Sequence, residues 1–428
     1  MKKHLTLMKK LTVLVLLFAC WTAQAQVTTA SMSGRVSSGN ETLPGATVKA
    51  THVPSGTVYG ITTRMDGTYT LANMRIGGPY IVQFSFVGYQ PQNFENISLT
   101  LGENLTLNVS LTEGVALEGV VVTGFQSTVM NSNRTGAQEV ITRETMDRLP
   151  TINRSLNDFT RLAPMNNSGN LAGISYRFNN VTVDGASFNN SFGLSSALGA
   201  SGTEPISLEA LEQVQVMIAP YDVRNGGFTG GAINSVTKSG SNEFKASAYT
   251  YAKGPALMGY RAKEEIIAVS EFSNKQYGIS LSGALIPNKL FFFINGELDR
   301  QDSPITFTTK NSAADASVLK DITEWLDQHL NYDPGFFDKD KRETEANRLT
   351  VRFDYNLDAK NSLSLKYYHL RSFNTVNPST SGQPNGGRGP NQFSIPFSSC
   401  FYRTNNNFDI VMLDLNSTIN NKMSNMFR

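Results

Sequence analysis

QYGISLSGALIPNKLFFFINGELDR, residues Gln276–Arg300, holds two runs of alternating character around a short polar break. In the first run Tyr277, Ile279, Leu281, Gly283 and Leu285 alternate with Gln276, Gly278, Ser280, Ser282 and Ala284. Past Pro287-Asn288-Lys289, Leu290, Phe292, Ile294 and Leu298 form a second face. Successive side chains of an extended chain point to opposite sides, so a period of two means a strand with one apolar and one polar face. Proline and asparagine in the break mark a tight turn. Two architectures share this signature: a sheet with one wet face, and a membrane barrel with its apolar face toward lipid.

The pattern continues downstream and its spacing separates the two. Leu349, Val351, Phe353, Tyr355 and Leu357 alternate with Arg348, Thr350, Arg352, Asp354 and Asn356, and after the turn Asp358–Asn361 the residues Leu363, Leu365 and Tyr367 resume it. Connections alternate between short (Pro287–Lys289, Asp358–Asn361) and long (Gln301–Ala346, Phe373–Asn406). Short turns on one side and long loops on the other are the signature of an outer-membrane barrel. A small helix is expected in the first long loop, in SAADASVLKDITEWLDQHL, with Glu324 and Asp327 on its solvated face.

The N-terminus agrees with export. Lys2, Lys3, Lys9 and Lys10 precede an apolar run from Leu11 to Cys20, and Ala23-Gln24-Ala25 supplies a small-residue cleavage site. The run is shorter than the ~20 residues of a spanning helix. Cys20 is read as part of that run rather than as a lipidation site, which Phe18 suits poorly. Cleavage leaves Cys400 as the remaining cysteine, so neither a disulfide framework nor a thiolate metal site is available. His4, His52, His329 and His369 are scattered, and no nucleophile–base or phosphate-loop motif stands in the chain, so no catalysis, metal or cofactor is expected. With 37 Lys and Arg against 35 Asp and Glu, no nucleic-acid-binding stripe is expected either.

Upstream of the alternating zone lie two more. Residues 26–112 carry short β-prone runs, Ser33–Ser37, Ala46–His52, Thr57–Thr62, Tyr69–Ala72, Tyr80–Phe86 and Leu105–Leu111, separated by turn signals such as Asp66-Gly67. LPGATVKATHVPSGTVYGITTRMDGTYTLANMRIGGPYIVQFSFVGYQPQ resembles the carboxypeptidase-regulatory-like domain, which implies an immunoglobulin- or transthyretin-like β-sandwich without peptidase chemistry. A linker over residues 113–125 contains LEGVVVTG. Residues 126–240 combine a helical stretch capped by Thr142, the turn signal Asp184-Gly185 within Val181–Gly185, the strand Leu211–Val216, and a glycine-rich segment, Gly230–Lys238. A phosphate-cradling loop is excluded there, because β structure rather than a helix follows the glycines. Close backbone packing and a crossing at Ser239–Asn242 into the first wall strand are expected instead.

The landmarks of residues 126–240 resemble the plug domain of TonB-dependent outer-membrane receptors, and APYDVRNGGFTGGAINSVTKSGSNEF is closer to the Oar-like subgroup than to the glycan-uptake pattern. The resemblance implies a mostly β chain: sandwich, α+β plug, and the first six or seven strands of an antiparallel barrel over residues 241–428. It implies that Leu117, Glu118, Gly119, Val120, Val121, Val122 and Thr123 form a TonB box, an extended segment recognised by strand addition. Val183, Asp184, Gly185, Gly230, Gly231 and Asn234 fall on plug hallmarks, Asp222 and Arg224 are candidate ion-pair partners of the barrel wall or of each other, and Tyr176–Phe192 is a candidate plug apex. Implied partners are a TonB-type energy-coupling protein, outer-membrane lipid and an unidentified extracellular cargo; a surface lipoprotein is left open. The implied activity is energised transport across the outer membrane with the sandwich in the periplasm. The alternatives are an adhesin or export and assembly protein of the same architecture, and a soluble periplasmic binding protein. A plug of this size needs the lumen of a ~22-stranded barrel, so the chain is expected to be the N-terminal part of a longer receptor.

Overall fold

The computed structural model describes the chain except residues 1–26, 115–119, 124–136, 152–153, 164, 168–169, 190–202, 219–225, 260, 263–264, 267–270, 306, 339–340 and 379–390. The export signal, Leu117, Glu118, Gly119, Asp222 and Arg224 therefore lie outside the described residues.

The N-terminal part is a two-sheet sandwich. One sheet is built on Ala30–Ser38, paired with Glu41–Thr42, Thr68–Met74, Asn104–Thr106 and Val109–Ser110. The other runs in the order Val120–Thr123, Gln92–Leu99, Gly77–Ser85, Thr47–His52, Thr57–Thr62. Alternating inward residues, among them Val48, Ala50, Tyr69, Tyr80, Val82 and Phe84, fill the space between the sheets. The strand Gln92–Leu99 is not legible from alternation. Asn96 takes a left-handed φ of 60° and the register shifts along the pairing with Gly77–Ser85, so Phe94, Ile97 and Leu99 all point inward at uneven spacing. The run read as Leu105–Leu111 divides into two short strands.

The middle part is a mixed sheet ordered Ala137–Thr142, Leu211–Ile218, Gly231–Thr237, Asn180–Val183, Ala186–Ser187. Helices Arg143–Arg148, capped by the Thr142 side chain, and Leu156–Thr160 pack beside it through Met146, Leu156 and Phe159. In the strand Leu211–Ile218, Leu211, Val214 and Val216 enter the apolar core, while Gln213 and Gln215 are buried toward the sandwich. The Asp184-Gly185 turn has φ of 51° and 88°, the left-handed pair that a tight two-residue hairpin requires.

The wall is a seven-stranded antiparallel meander: Lys245–Lys253, Ser273–Ile286, Leu290–Pro304, Lys341–Asn356, Asn361–Val376, Tyr402–Asn420 and Met423–Phe427. Its first and last strands do not pair with each other, so the barrel is partial. Tyr277, Ile279, Leu285, Leu298, Leu365, Val411 and Leu413 stand exposed on the outer face, whereas Gln276, Asn295, Glu297, Arg348, Thr350 and Asp354 are buried on the inner one. Phe291 and Phe293 break the rule: both point inward and are buried, so the FFF run is apolar on both faces.

The strands are longer than the alternation suggests, with 16 residues in each of Lys341–Asn356 and Asn361–Val376 and 19 in Tyr402–Asn420. The surplus lies at the long-loop side, where Pro304 pairs with Lys341 and Val376 with Tyr402. Both faces turn polar there, as expected where ~9–11 residues already cross the membrane. The long-loop helix spans Ala316–Leu330, capped by the Asp315 side chain, with Lys320 and Glu324 as an exposed ion pair. Among the described residues no helix is long and apolar enough to cross a membrane.

Candidate functional site

Three parts meet at the short-turn end of the wall, around a cavity of about 510 Å³ bounded by Arg75, Asp184, Glu209, Lys238, Arg352 and Asp354. The tight turn of the middle sheet drives Asp184 into this junction, where it is fully buried. Its carboxylate accepts from the Thr237 backbone N–H at 3.3 Å and from the hydroxyls of Thr237 and Tyr368. Lys366 Nζ stands 3.6 Å away and Arg352 Nη1 3.8 Å, both on wall strands. Burial by itself raises the Asp184 pKa; the two cations and two hydroxyls outweigh it and hold the carboxyl below its ordinary value.

The cations are shared. Lys366 also meets Asp414 at 2.8 Å, Arg428 meets Asp414 at 2.7 Å, and Arg352 meets Asp354 at 2.8 Å. Asp354 in turn faces Arg75 of the sandwich at 3.2 Å. A chain of alternating charge therefore joins all three parts. A second cluster lies higher on the wall: Glu297 accepts from Arg348 at 2.7 Å, from Ser207 of the middle part at 2.7 Å and from Tyr249 at 2.8 Å. Arg348 also donates to the Glu204 carbonyl at 2.7 Å. Burial, opposed by the nearby Arg348, pushes the Glu204 carboxyl up to about 7.

The glycine-rich segment is a fully buried strand, Gly231–Thr237, between Leu211–Ile218 and Asn180–Val183. A Cβ on Gly231 would lie 2.5 Å from Leu171 Cδ1 and 2.7 Å from the Met217 carbonyl oxygen; on Gly230 it would lie 2.6 Å from Asn179 Oδ1. Asn234 accepts from the Thr182 hydroxyl at 2.5 Å, tying this strand to the one that carries Val183. Gly240, in the crossing to the wall, has carbonyl oxygens of Gly283 and Phe292 2.5 Å from where a Cβ would sit. Asn242 then bonds the wall turn at Asn288 and the sandwich carbonyl of Pro54, both at 2.8 Å.

The sandwich is also fastened to the middle sheet. Leu101 N–H donates to Gln213 Oε1 at 2.8 Å, and Gln215 Nε2 donates to the Leu101 carbonyl at 3.1 Å. Asn356 on the wall donates to Thr57 Oγ1 at 2.9 Å, continuing a chain through Ser55 to the buried His52. Burial, assisted by the field of Arg75, lowers the His52 pKa to about 3.

Among the candidate residues, Val183, Asp184, Gly185, Gly230, Gly231 and Asn234 are brought together in one sheet. Val120–Thr123 are elsewhere, at the edge of the sandwich and parallel to Gln92–Leu99. Within Tyr176–Phe192, Tyr176–Phe178 form a single 3-10 turn with Phe178 exposed, and Phe188 is buried edge-on against Tyr368 and Phe408 of the wall; residues 190–192 lie outside the described residues. Sequence reasoning did not single out Arg348, Arg352 and Lys366. Their signal was available as charge on the polar face of a barrel strand. Among the described residues no group of three His, Cys, Asp or Glu is placed to hold a metal ion.

A sandwich, a buried plug sheet and an outer-membrane wall, in that order, define the class. Residues 31–112 match the carboxypeptidase regulatory-like domain, and residues 236–334 match an outer membrane beta barrel domain. The chain is 27% identical to the TonB-dependent transporter Oar of Myxococcus xanthus over 62% of its length and 26% of Oar. It is 26% identical to the probable TonB-dependent siderophore receptor PirA of Acinetobacter baumannii over 45% of the chain and 26% of that receptor. The TonB-dependent receptor P26 of Formosa agariphila is 32% identical over 28% of the chain and 11% of P26. Among solved structures, the outer membrane transporter YddB from Escherichia coli matches 68% of the chain and 38% of its own, at 15% identity and a TM-score of 0.45. The chain thus spans about a quarter or less of each curated relative. Its place is the outer membrane, and it is similar to TonB-dependent receptors, Oar among them.

Proposed function

We propose that the protein is an energised outer-membrane transporter. Its middle part is a plug held against the barrel wall, and Leu117–Thr123 is the segment by which a TonB-type energy-coupling protein pulls that plug aside to admit an extracellular cargo. The observation that carries this reading is the buried Asp184 turn, gripped at once by Thr237 of the plug and by Lys366 and Arg352 of the wall. Such a contact favours one plug position in the lumen, since any other separates the buried Asp184 carboxylate from both of its cations. The names of Oar and PirA, transporter and siderophore receptor, agree with passage of a bound cargo. The test is deletion of Leu117–Gly124. The receptor should still assemble in the outer membrane and should lose binding to the periplasmic domain of the energy-coupling protein; undiminished binding rejects the reading.

A further inference from the structure

Val120–Thr123 form the outermost strand of a sandwich sheet, in parallel register with Gln92–Leu99 from Val120 opposite Gln92 to Thr123 opposite Glu95. One backbone edge of this strand is used by the pairing. Among the described residues no other strand pairs with it, so the other edge ends the sheet. Strand addition works through main-chain donors and acceptors, and an edge strand is its template.

We propose that the sandwich presents this segment, already extended, as an edge to which the periplasmic energy-coupling protein adds the next strand, making one sheet continuous from sandwich to partner. The proposal rests on the reading of Leu117–Thr123 as the partner segment. An extended segment held by Gln92–Leu99 does not have to be ordered at the moment of binding, which removes a large entropic cost of capturing a loose linker. The location fits a periplasmic partner rather than an extracellular one. The sandwich meets the wall at its short turns, through Asn242 and Pro54 beside Asn288 and through Thr57 and Asn356, which is the periplasmic side of such a barrel. Gln92–Leu99 then leads to Leu101, bonded to Gln213 and Gln215, so the presenting strand is tied to the plug strand Leu211–Ile218.

The test uses the receptor purified from outer membranes, with Cys400→Ser to remove the exposed thiol. Asn93→Cys and Val121→Cys, opposite each other in the register, lock the segment to the sandwich when oxidised. Alternate amides of Val120–Thr123, those that face Gln92–Leu99, should be protected from hydrogen exchange in the free receptor, while those on the open edge exchange. The oxidised protein should bind the purified periplasmic domain of the energy-coupling protein within about threefold of the same protein reduced, because the edge used for strand addition stays open. Loss of binding on oxidation overturns the proposal, since the segment must then leave the sandwich to be recognised. Failure of the intramolecular disulfide to form, or its replacement by a disulfide between two receptor copies, overturns it as well. The deletion of Leu117–Gly124 separates the two levels: if it abolishes binding while oxidation also does, the partner segment stands and only its presentation falls.

Discussion

Replacing Asp184 by Asn is the most direct assault on the plug seat. The amide keeps an acceptor for the Thr237 N–H but removes the charge that faces Lys366 at 3.6 Å and Arg352 at 3.8 Å. At an effective dielectric constant of ~20 each of these pairs is worth roughly 4–5 kcal/mol before desolvation is charged against it. Removing one partner of a buried pair costs ~3–5 kcal/mol, because the opposite charge is left buried. Here Lys366 keeps Asp414 and Arg352 keeps Asp354, so the lower end applies, about 3 kcal/mol. That is a shift of roughly 10²-fold in the equilibrium between seated and unseated plug, since 1.36 kcal/mol is tenfold. Hydrogen exchange of the amides in Gly231–Thr237, measured on the assembled receptor under conditions where exchange tracks opening, should accelerate by about that factor. Exchange in Asn361–Val376, a wall strand, should change little. Plug exchange unchanged in Asp184→Asn would refute the assignment of this carboxylate as the seat.

Three further outcomes follow from the same geometry. Gly231→Ala should destabilise the plug by ~1–3 kcal/mol, because the new methyl meets a backbone carbonyl oxygen at 2.7 Å that cannot rotate away; Gly226→Ala, with open space around it, should be silent in the same urea titration. His52 titrates at about 3 when folded against 6.5 unfolded, so below pH 6.5 the unfolded state binds the extra proton. The sandwich should therefore be at full stability above that pH and lose about 2 kcal/mol by about pH 5, a slope that His52→Gln flattens in thermal melts recorded against pH. Replacing both Gln213 and Gln215 by Ala removes the bonds to Leu101 that fasten sandwich to plug. Limited proteolysis should then release the sandwich from the assembled receptor several-fold faster than in the parent (roughly 1 kcal/mol per lost bond).

Alternation alone exposed the wall, because a lipid-facing surface must be apolar wherever the strand crosses the membrane, and Tyr277, Ile279 and Leu298 obey that demand. It could not locate the strand ends, since beyond the membrane neither face is constrained and Arg342, Glu343 or Asn405 read as loop. It passed over Gln92–Leu99 because a bulge at Asn96 shifts the inward positions out of period. The plug seat was half legible. Asp184-Gly185 announced a tight turn and Arg352 stood on the polar face of its strand, but pairing the two depends on how plug and wall are juxtaposed. The Leu101 fastening had no signal at all on the sandwich side, because its donors and acceptors are backbone groups common to every residue.

On the proposed function, the ionic character of the seat follows from what a plug has to do. An apolar seam of the same area would bind at least as strongly, since buried ion pairs rarely exceed well-packed hydrophobic replacements in net stability. An apolar seam would also expose its whole surface to water each time it opened. Asp184, Arg352, Lys366, Asp354 and Asp414 instead interact with a direction and a fixed pairing, and each can be rehydrated in a water-filled lumen when the plug leaves. Apolar wall contacts are present, but the aromatic ones, Phe188 against Tyr368 and Phe408, lie on the strand pair that also carries Lys366 and Asp414, so packing and charge register the same face of the plug. The glycines complete the arrangement: without a Cβ, Gly231 packs against Leu171 and the Met217 carbonyl, and Gly240 against wall carbonyls of Gly283 and Phe292. A seam built this way is specific in position and cheap to hydrate on release, which is the combination that a repeatedly displaced plug requires.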